Sequence, residues 1–167
     1  EKTLAREWAI PGMKGFEHRV GGLEKANITG NVNYDPDNHH YMVEHRQKKV
    51  DIIASHIPEV EPFGDNVGDV LVLGWGGTFG ALRSAVEKAQ HKGYSVSHLH
   101  LRHINPFPSN LGELLVGFKK VLVPELNLGQ LGMLIRSQFL IDTKGYNVVA
   151  GKPFSSNEID LTASTVP

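Results

Sequence analysis

Four consecutive apolar residues, Val70-Leu71-Val72-Leu73, run straight into a glycine turn, Gly74-Trp75-Gly76-Gly77, and this constrains the fold more than any other feature. A short continuous apolar run is what a strand buried on both faces requires, and such strands occur where helices cover both sides of a parallel sheet. The residues that follow agree. Ala81, Leu82, Ala85, Val86 and Ala89 share one helical face, with Thr78 as a candidate N-cap and Gly93 as the stop. Residues 95–101 alternate as a second strand, and Pro106 and Pro108 mark a loop. A short helix is expected over 110 to about 118, a third strand over 119–125, and another helix over 129–140 carrying Leu131, Leu134, Ile135 and Gln138. A last strand at 146–149 and a helical turn opening at Ser155 complete the pattern. Alternating strands and helices predict an α/β fold: an open, mostly parallel sheet with helices on both faces and right-handed crossovers.

The chain before this unit reads differently. Residues 1–34 are rich in Gly and Asn and carry no sustained periodicity. Asp35-Pro36-Asp37 then supplies an N-cap, a first-turn proline and a first-turn acid, so a long helix starts here. Arg46, Val50, Ile53, Ala54 and Ile57 fall on one face, and Pro58 ends the helix near residue 56. The stretch EVEPFGDNVG is a linker by composition. The expected organisation is an irregular connector over 1–66, with a helix at about 36–56, and an α/β domain over 67–167.

Composition excludes several function classes. A net charge of −1 gives no basic excess for a nucleic-acid surface. No apolar run approaches the roughly 20 residues that cross a bilayer, so no membrane partner is expected, and nothing at the N-terminus reads as a signal peptide. There are no cysteines, which removes disulfides, thiolate metal sites and thiol catalysis and fits a cytoplasmic protein. The chain starts at Glu1 without an initiator Met, which suggests a piece of something longer.

Each chemical motif competes with a plainer reading. The cluster Gly74–Gly80 follows a strand and opens a helix, as a phosphate cradle does, but the third glycine of a G-x-G-x-x-G falls on Phe79. No Lys follows in Walker fashion, and the second strand ends at Leu101-Arg102-His103 without a ribose-binding acid. Tight-turn packing is therefore preferred, with a weak anion site at that helix terminus left open. His98 and His100 share a strand face with Arg102, whose charge disfavours a metal, so a polar face near an interface is the preferred reading and no metal ligand is assigned. Glu125 is the best single acid, because ligands gather at the carboxyl ends of strands in open α/β sheets, although Asn127 reads equally well as a helix cap. The serines lack a nucleophile elbow. No catalytic residue is assigned. The candidate ligand or interface loops are Gly74, Trp75, Gly76, Gly77, Thr78, His103, Glu125, Asn127, Gly129 and Gln130.

Two ordered stretches say more than these motifs. One comprises Gly21-Gly22-Leu23-Glu24-Lys25, Thr29-Gly30-Asn31, Tyr34-Asp35-Pro36-Asp37-Asn38-His39, Met42 and Arg46. The other comprises Leu73-Gly74-Trp75-Gly76-Gly77-Thr78, Ile104-Asn105-Pro106-Phe107-Pro108 and Val123-Pro124-Glu125-Leu126-Asn127-Leu128-Gly129-Gln130-Leu131. Together, over about residues 16–141, they resemble the C-terminal part of the alpha subunit of 2-oxoacid:ferredoxin oxidoreductases, most similar to the 2-oxoglutarate enzymes. The resemblance implies a transketolase C-terminal-like domain of an enzyme that oxidatively decarboxylates a 2-oxoacid onto coenzyme A and reduces ferredoxin. It implies thiamine diphosphate, magnesium and iron–sulfur clusters in the whole enzyme, with none of them held by this chain. Expected partners are the N-terminal pyrimidine-binding domain, the beta subunit and, through the whole enzyme, ferredoxin. The exposed half of the connector, including Arg19 and the long helix, is the expected packing surface, and the isolated chain is expected to be inactive. The rival expectation is a stand-alone nucleotide- or anion-binding module using the Gly74–Gly80 turn.

Overall fold

The computed structural model describes residues 2–18, 20–159 and 161. It divides into two compact units, Glu1–His56 and Ile57–Pro167. Arg19 lies outside the described residues.

The first unit is turn-rich chain with one long helix, α1 (Pro36–Ile53), which tightens into a 3-10 turn at Ala54–His56. Asp35 caps it by accepting the Asp37 amide at 2.9 Å. Residues 25 and 32 pair in an antiparallel bridge. Asn38 fastens α1 to this bridge, accepting from the Asn27 amide (3.1 Å) and donating to the Lys25 carbonyl (3.1 Å). Glu24 receives both terminal nitrogens of Arg46, at 3.0 and 3.1 Å, accepts the Lys25 amide at 3.2 Å and meets His39 Nδ1 at 2.7 Å. The helical extent agrees with expectation, but the expected apolar face differs. No residue of α1 is buried, and Arg46, which opens that row, is turned to Glu24. Polar clamps rather than an apolar stripe organise this unit.

These clamps make a pH prediction. The Arg46 guanidinium first, and His39 second, hold the Glu24 carboxyl at about 2, against an ordinary value of 4.5. A depressed folded-state value stabilises fully above the unfolded one and is lost as pH falls through the folded one. The first unit should therefore keep its clamp down to about pH 4.5 and loosen between there and about pH 2. Carboxyl-carbon NMR of Glu24 checks this, and a titration at the ordinary value contradicts it.

The second unit runs β1 (Gly68–Trp75), a 3-10 turn (Gly76–Thr78), α2 (Phe79–His91), β2 (Val96–Leu101), α3 (Leu111–Val116), β3 (Phe118–Glu125), α4 (Gln130–Phe139) and β4 (Thr143–Asn147). All four strands are parallel, in the order β2-β1-β3-β4. The pairing Val70↔Val96 and Val72↔His98 sends alternate residues to opposite faces. Val70, Val72 and Val96 pack with Leu82, Ala85, Val86 and Ala89 of α2. Leu71, Leu73, Leu99 and Leu101 pack with Leu111 and Leu115 of α3 and with Leu131 and Ile135 of α4. Helices thus cover both faces, as the unbroken apolar run required.

The outer edge of β2 is closed by Phe63, whose amide donates to the His98 carbonyl (2.7 Å) and whose carbonyl accepts the His98 amide (2.9 Å). Asn110 holds Val60 by bonds to both its amide and its carbonyl. One expectation needs correction. The last strand is Thr143–Asn147 rather than 146–149, because an edge strand with four exposed residues carries no burial pattern. The expected helical turn at Ser155 is present, a single turn closed by the Glu158 amide donating to the Ser155 carbonyl (3.1 Å).

Candidate functional site

The chain leaves β1 toward β2 on one side and later returns to β3 on the other. The carboxyl ends of β1 and β3 therefore flank the point where an open α/β sheet offers a ligand crevice. Here the crevice is filled from within. Glu125 is fully buried at the end of β3. Its carboxylate accepts from Trp75 Nε1 (3.2 Å), Asn127 Nδ2 (3.0 Å), and the amides of Leu131 (2.9 Å) and Gly132 (3.1 Å). Those two amides belong to the first turn of α4, where N–H groups have no partner within the helix and favour negative charge. Asn127 Oδ1 accepts the amides of Gly129 (2.7 Å) and Gln130 (3.0 Å). Glu125 thus supplies the anion that a phosphate would otherwise supply, and Asn127 completes the cap.

The glycine turn divides by function. A Cβ on Gly74 would lie 2.5 Å from Leu82 Cδ1, 3.1 Å from Thr78 Oγ1 and 3.3 Å from His100 Nδ1. Gly76 has a φ of +59° with open space around it, and Gly77 and Gly80 are also open. Gly74 therefore serves the close approach of β1 to α2, and Gly76 serves the turn. Thr78 takes the expected N-cap position of α2 but makes no side-chain capping bond. Its hydroxyl donates back to the Trp75 carbonyl (2.8 Å) and accepts the Trp75 amide (3.3 Å), which locks the turn instead of capping α2.

A separate cleft of about 380 Å³ lies at the carboxyl end of β2, lined by His98, His100, Arg102, Phe79, Arg83, Phe63 and Glu61. A second recess of about 370 Å³ shares His100 and Arg102 and reaches Trp75, Gly76 and Ile104. Burial, with help from His100 and Arg83, pushes His98 down to about 4. Burial also lowers His100, opposed by a hydrogen bond to the Gly76 backbone. Burial thus disfavours the charged form of both imidazoles, whose rings meet edge to face at 5.9 Å. His98 Nε2 and His100 Nδ1 have no hydrogen-bond partner. Among the described residues no group of three His, Asp or Glu is placed to hold a metal ion.

Of the residues singled out from the sequence, Trp75, Glu125, Asn127, Gly129 and Gln130 meet at the plugged crevice. Trp75 and Gly76 also edge the second recess, while exposed His103 lines neither. Sequence reasoning missed Glu61, Phe63, Phe79 and Arg83. Phe79 and Arg83 had one available signal, their place in the first turns of a helix that follows a glycine turn.

This geometry defines a doubly wound α/β domain whose switch-point crevice is closed by its own carboxylate. Residues 68–156, just over half of the chain, match the sequence model of pyruvate:ferredoxin oxidoreductase core domain II, and the chain belongs to that family. It is 47% identical over 161 residues to the 2-oxoglutarate oxidoreductase subunit KorA of Mycobacterium tuberculosis, covering 95% of this chain and 24% of that one. It is 34% identical over 113 residues to subunit alpha of 2-oxoacid:ferredoxin oxidoreductase 1 from Aeropyrum pernix, covering 64% of this chain and 18% of that one. The solved 2-oxoglutarate:ferredoxin oxidoreductase of Magnetococcus marinus, with 2-oxoglutarate, coenzyme A and succinyl-CoA bound, matches with a TM-score of 0.85 and 30% identity. That match covers 95% of this chain and 28% of the solved one. The chain thus spans about a quarter of the length of these relatives.

Proposed function

We propose that this chain is the non-catalytic C-terminal domain, with its connector, of the alpha subunit of a 2-oxoacid:ferredoxin oxidoreductase acting on 2-oxoglutarate in the cytoplasm. The observation that carries the reading is Glu125. At the carboxyl end of β3, beside the switch point, the α4 amides that could seat a phosphate are satisfied by a buried side chain of the same chain. The donor set points the same way. Iron–sulfur clusters need thiolates and the chain has no cysteine. A magnesium diphosphate needs oxygen ligands and a free cradle, and α4 offers neither. The residues present do not fit thiamine diphosphate, magnesium or an iron–sulfur cluster, so no reaction step is assigned to this chain.

In this reading its work is assembly. Leu128, Met133, Leu140 and Val149 stand exposed around α4 and β4, as expected of a domain that packs against others. The partners are the N-terminal pyrimidine-binding domain of the same subunit and the beta subunit, with ferredoxin met only by the whole enzyme. The stand-alone nucleotide module loses its support, since Gly74 is explained by packing. The test is 2-oxoglutarate- and coenzyme A-dependent reduction of ferredoxin. The chain alone should show none, and the same chain joined to the remainder of the alpha subunit and the beta subunit should turn over. Turnover by the chain alone overturns the reading.

A further inference from the structure

His98 is 2% exposed, yet its Nε2 has no partner. A buried ring nitrogen without a hydrogen bond is costly and asks for an explanation. His98 is also one of the residues that line a cleft of about 380 Å³, a volume within the range of small-molecule sites. The other walls are chemically specific. Arg102 is exposed at the end of β2 and forms no ion pair among the described residues. Arg83 is pinned, with its guanidinium 3.0 Å above the Phe63 ring and its Nε donating to Glu87 at 2.9 Å. Phe79 is 50% exposed, held edge-on to His100 at 5.1 Å and tilted against His98 at 5.6 Å. It offers a braced aromatic surface beside two cations. Glu61 adds a carboxylate acceptor at the same cleft, which repels a bare anion and suits a ligand that also carries N–H groups.

We propose that this cleft binds a small organic phosphate bearing a flat, nitrogen-containing ring. The phosphate sits on Arg102, and the ring stacks on Phe79, whose own ring rests against His98 and His100, so that binding is felt at His98 through Phe79. The site lies at the end of β2, apart from the plugged crevice between β1 and β3, and does not depend on the assembly reading above.

Calorimetric titration of the protein with AMP, adenosine and inorganic phosphate tests it, with the His98 imidazole followed by NMR. AMP should bind about tenfold or more tighter than either part alone, a difference of about 1.4 kcal/mol per factor of ten. AMP should also shift the His98 resonance. Arg102→Ala, at an exposed position, should bring AMP down to the level of adenosine and leave adenosine unchanged. Phe79→Ala should bring AMP down to the level of phosphate. No heat with millimolar AMP, equal binding of AMP and phosphate, an unmoved His98 signal, or full AMP affinity in Arg102→Ala each overturns the proposal.

Discussion

Replacing Glu125 with Leu is expected to lower the stability of the α/β unit by about 3–5 kcal/mol, the range for removing one member of a buried charged network. The loss has identifiable parts. The amides of Leu131 and Gly132 sit in the first turn of α4, where no helix carbonyl can reach them. Trp75 Nε1 and Asn127 Nδ2 lose their acceptor as well. Each unpaired buried donor costs about 1–3 kcal/mol, and part is recovered because Leu adds apolar contact. Glu125→Gln keeps the volume but turns an amide N–H₂ toward a set of donors, so about half of the loss should persist. Trp75→Phe removes one bond and keeps the ring, at about 1 kcal/mol. With a urea slope of about 1–3 kcal/mol per molar, the Leu variant should unfold about 2 M earlier, read by far-ultraviolet circular dichroism. An unchanged midpoint would mean that the carboxylate is replaceable there, and the structural reading of the crevice would fall with it.

What the sequence disclosed follows from range and burial. β1 was legible because Val70 to Leu73 are all buried, so their apolar run has no gaps. β4 was displaced because residues 144–147 are exposed or nearly so, and Val148 and Val149 beyond them imitate a strand. Glu125 was legible as an acid at a strand end, but its donors lie two, six, seven and fifty residues away, and the fifty-residue bond to Trp75 leaves no local trace. Glu24 stood among the residues carrying the family resemblance without a stated reason. The reason is its clamp to Arg46, twenty-two residues on. The cleft at His98 was half legible. Alternation put His98, His100 and Arg102 on one face, but Phe63 reaches that face by an edge pairing that no period in the sequence announces.

Gly74→Val should cost about 3 kcal/mol or more, the upper part of the range for overpacking a buried position. Even an added Cβ falls 2.5 Å from Leu82 Cδ1, and Leu82 is fully buried, so its movement is limited by Val70, Val72 and Val86 in the same cluster. Gly74→Ala should therefore cost about 2 kcal/mol, with Val higher because its branches also press on Thr78 and His100. Gly76→Ala makes the contrast. It meets no atom within 4 Å but must hold a φ of +59°, at about 1 kcal/mol. Gly77→Ala meets nothing, has no such φ, and should be near neutral. This ordering, with position 74 far above 76 and 76 above 77, is specific to a turn that serves packing. A phosphate cradle would give a different one. There, 76 and 77 would be the positions where the backbone must approach the ligand, and their variants would lose nucleotide binding while keeping their stability. Thermal unfolding of the four variants, paired with nucleotide titration of Gly76→Ala and Gly77→Ala, decides between the two. Loss of binding at position 76 or 77 without loss of stability would return the glycine turn to a ligand.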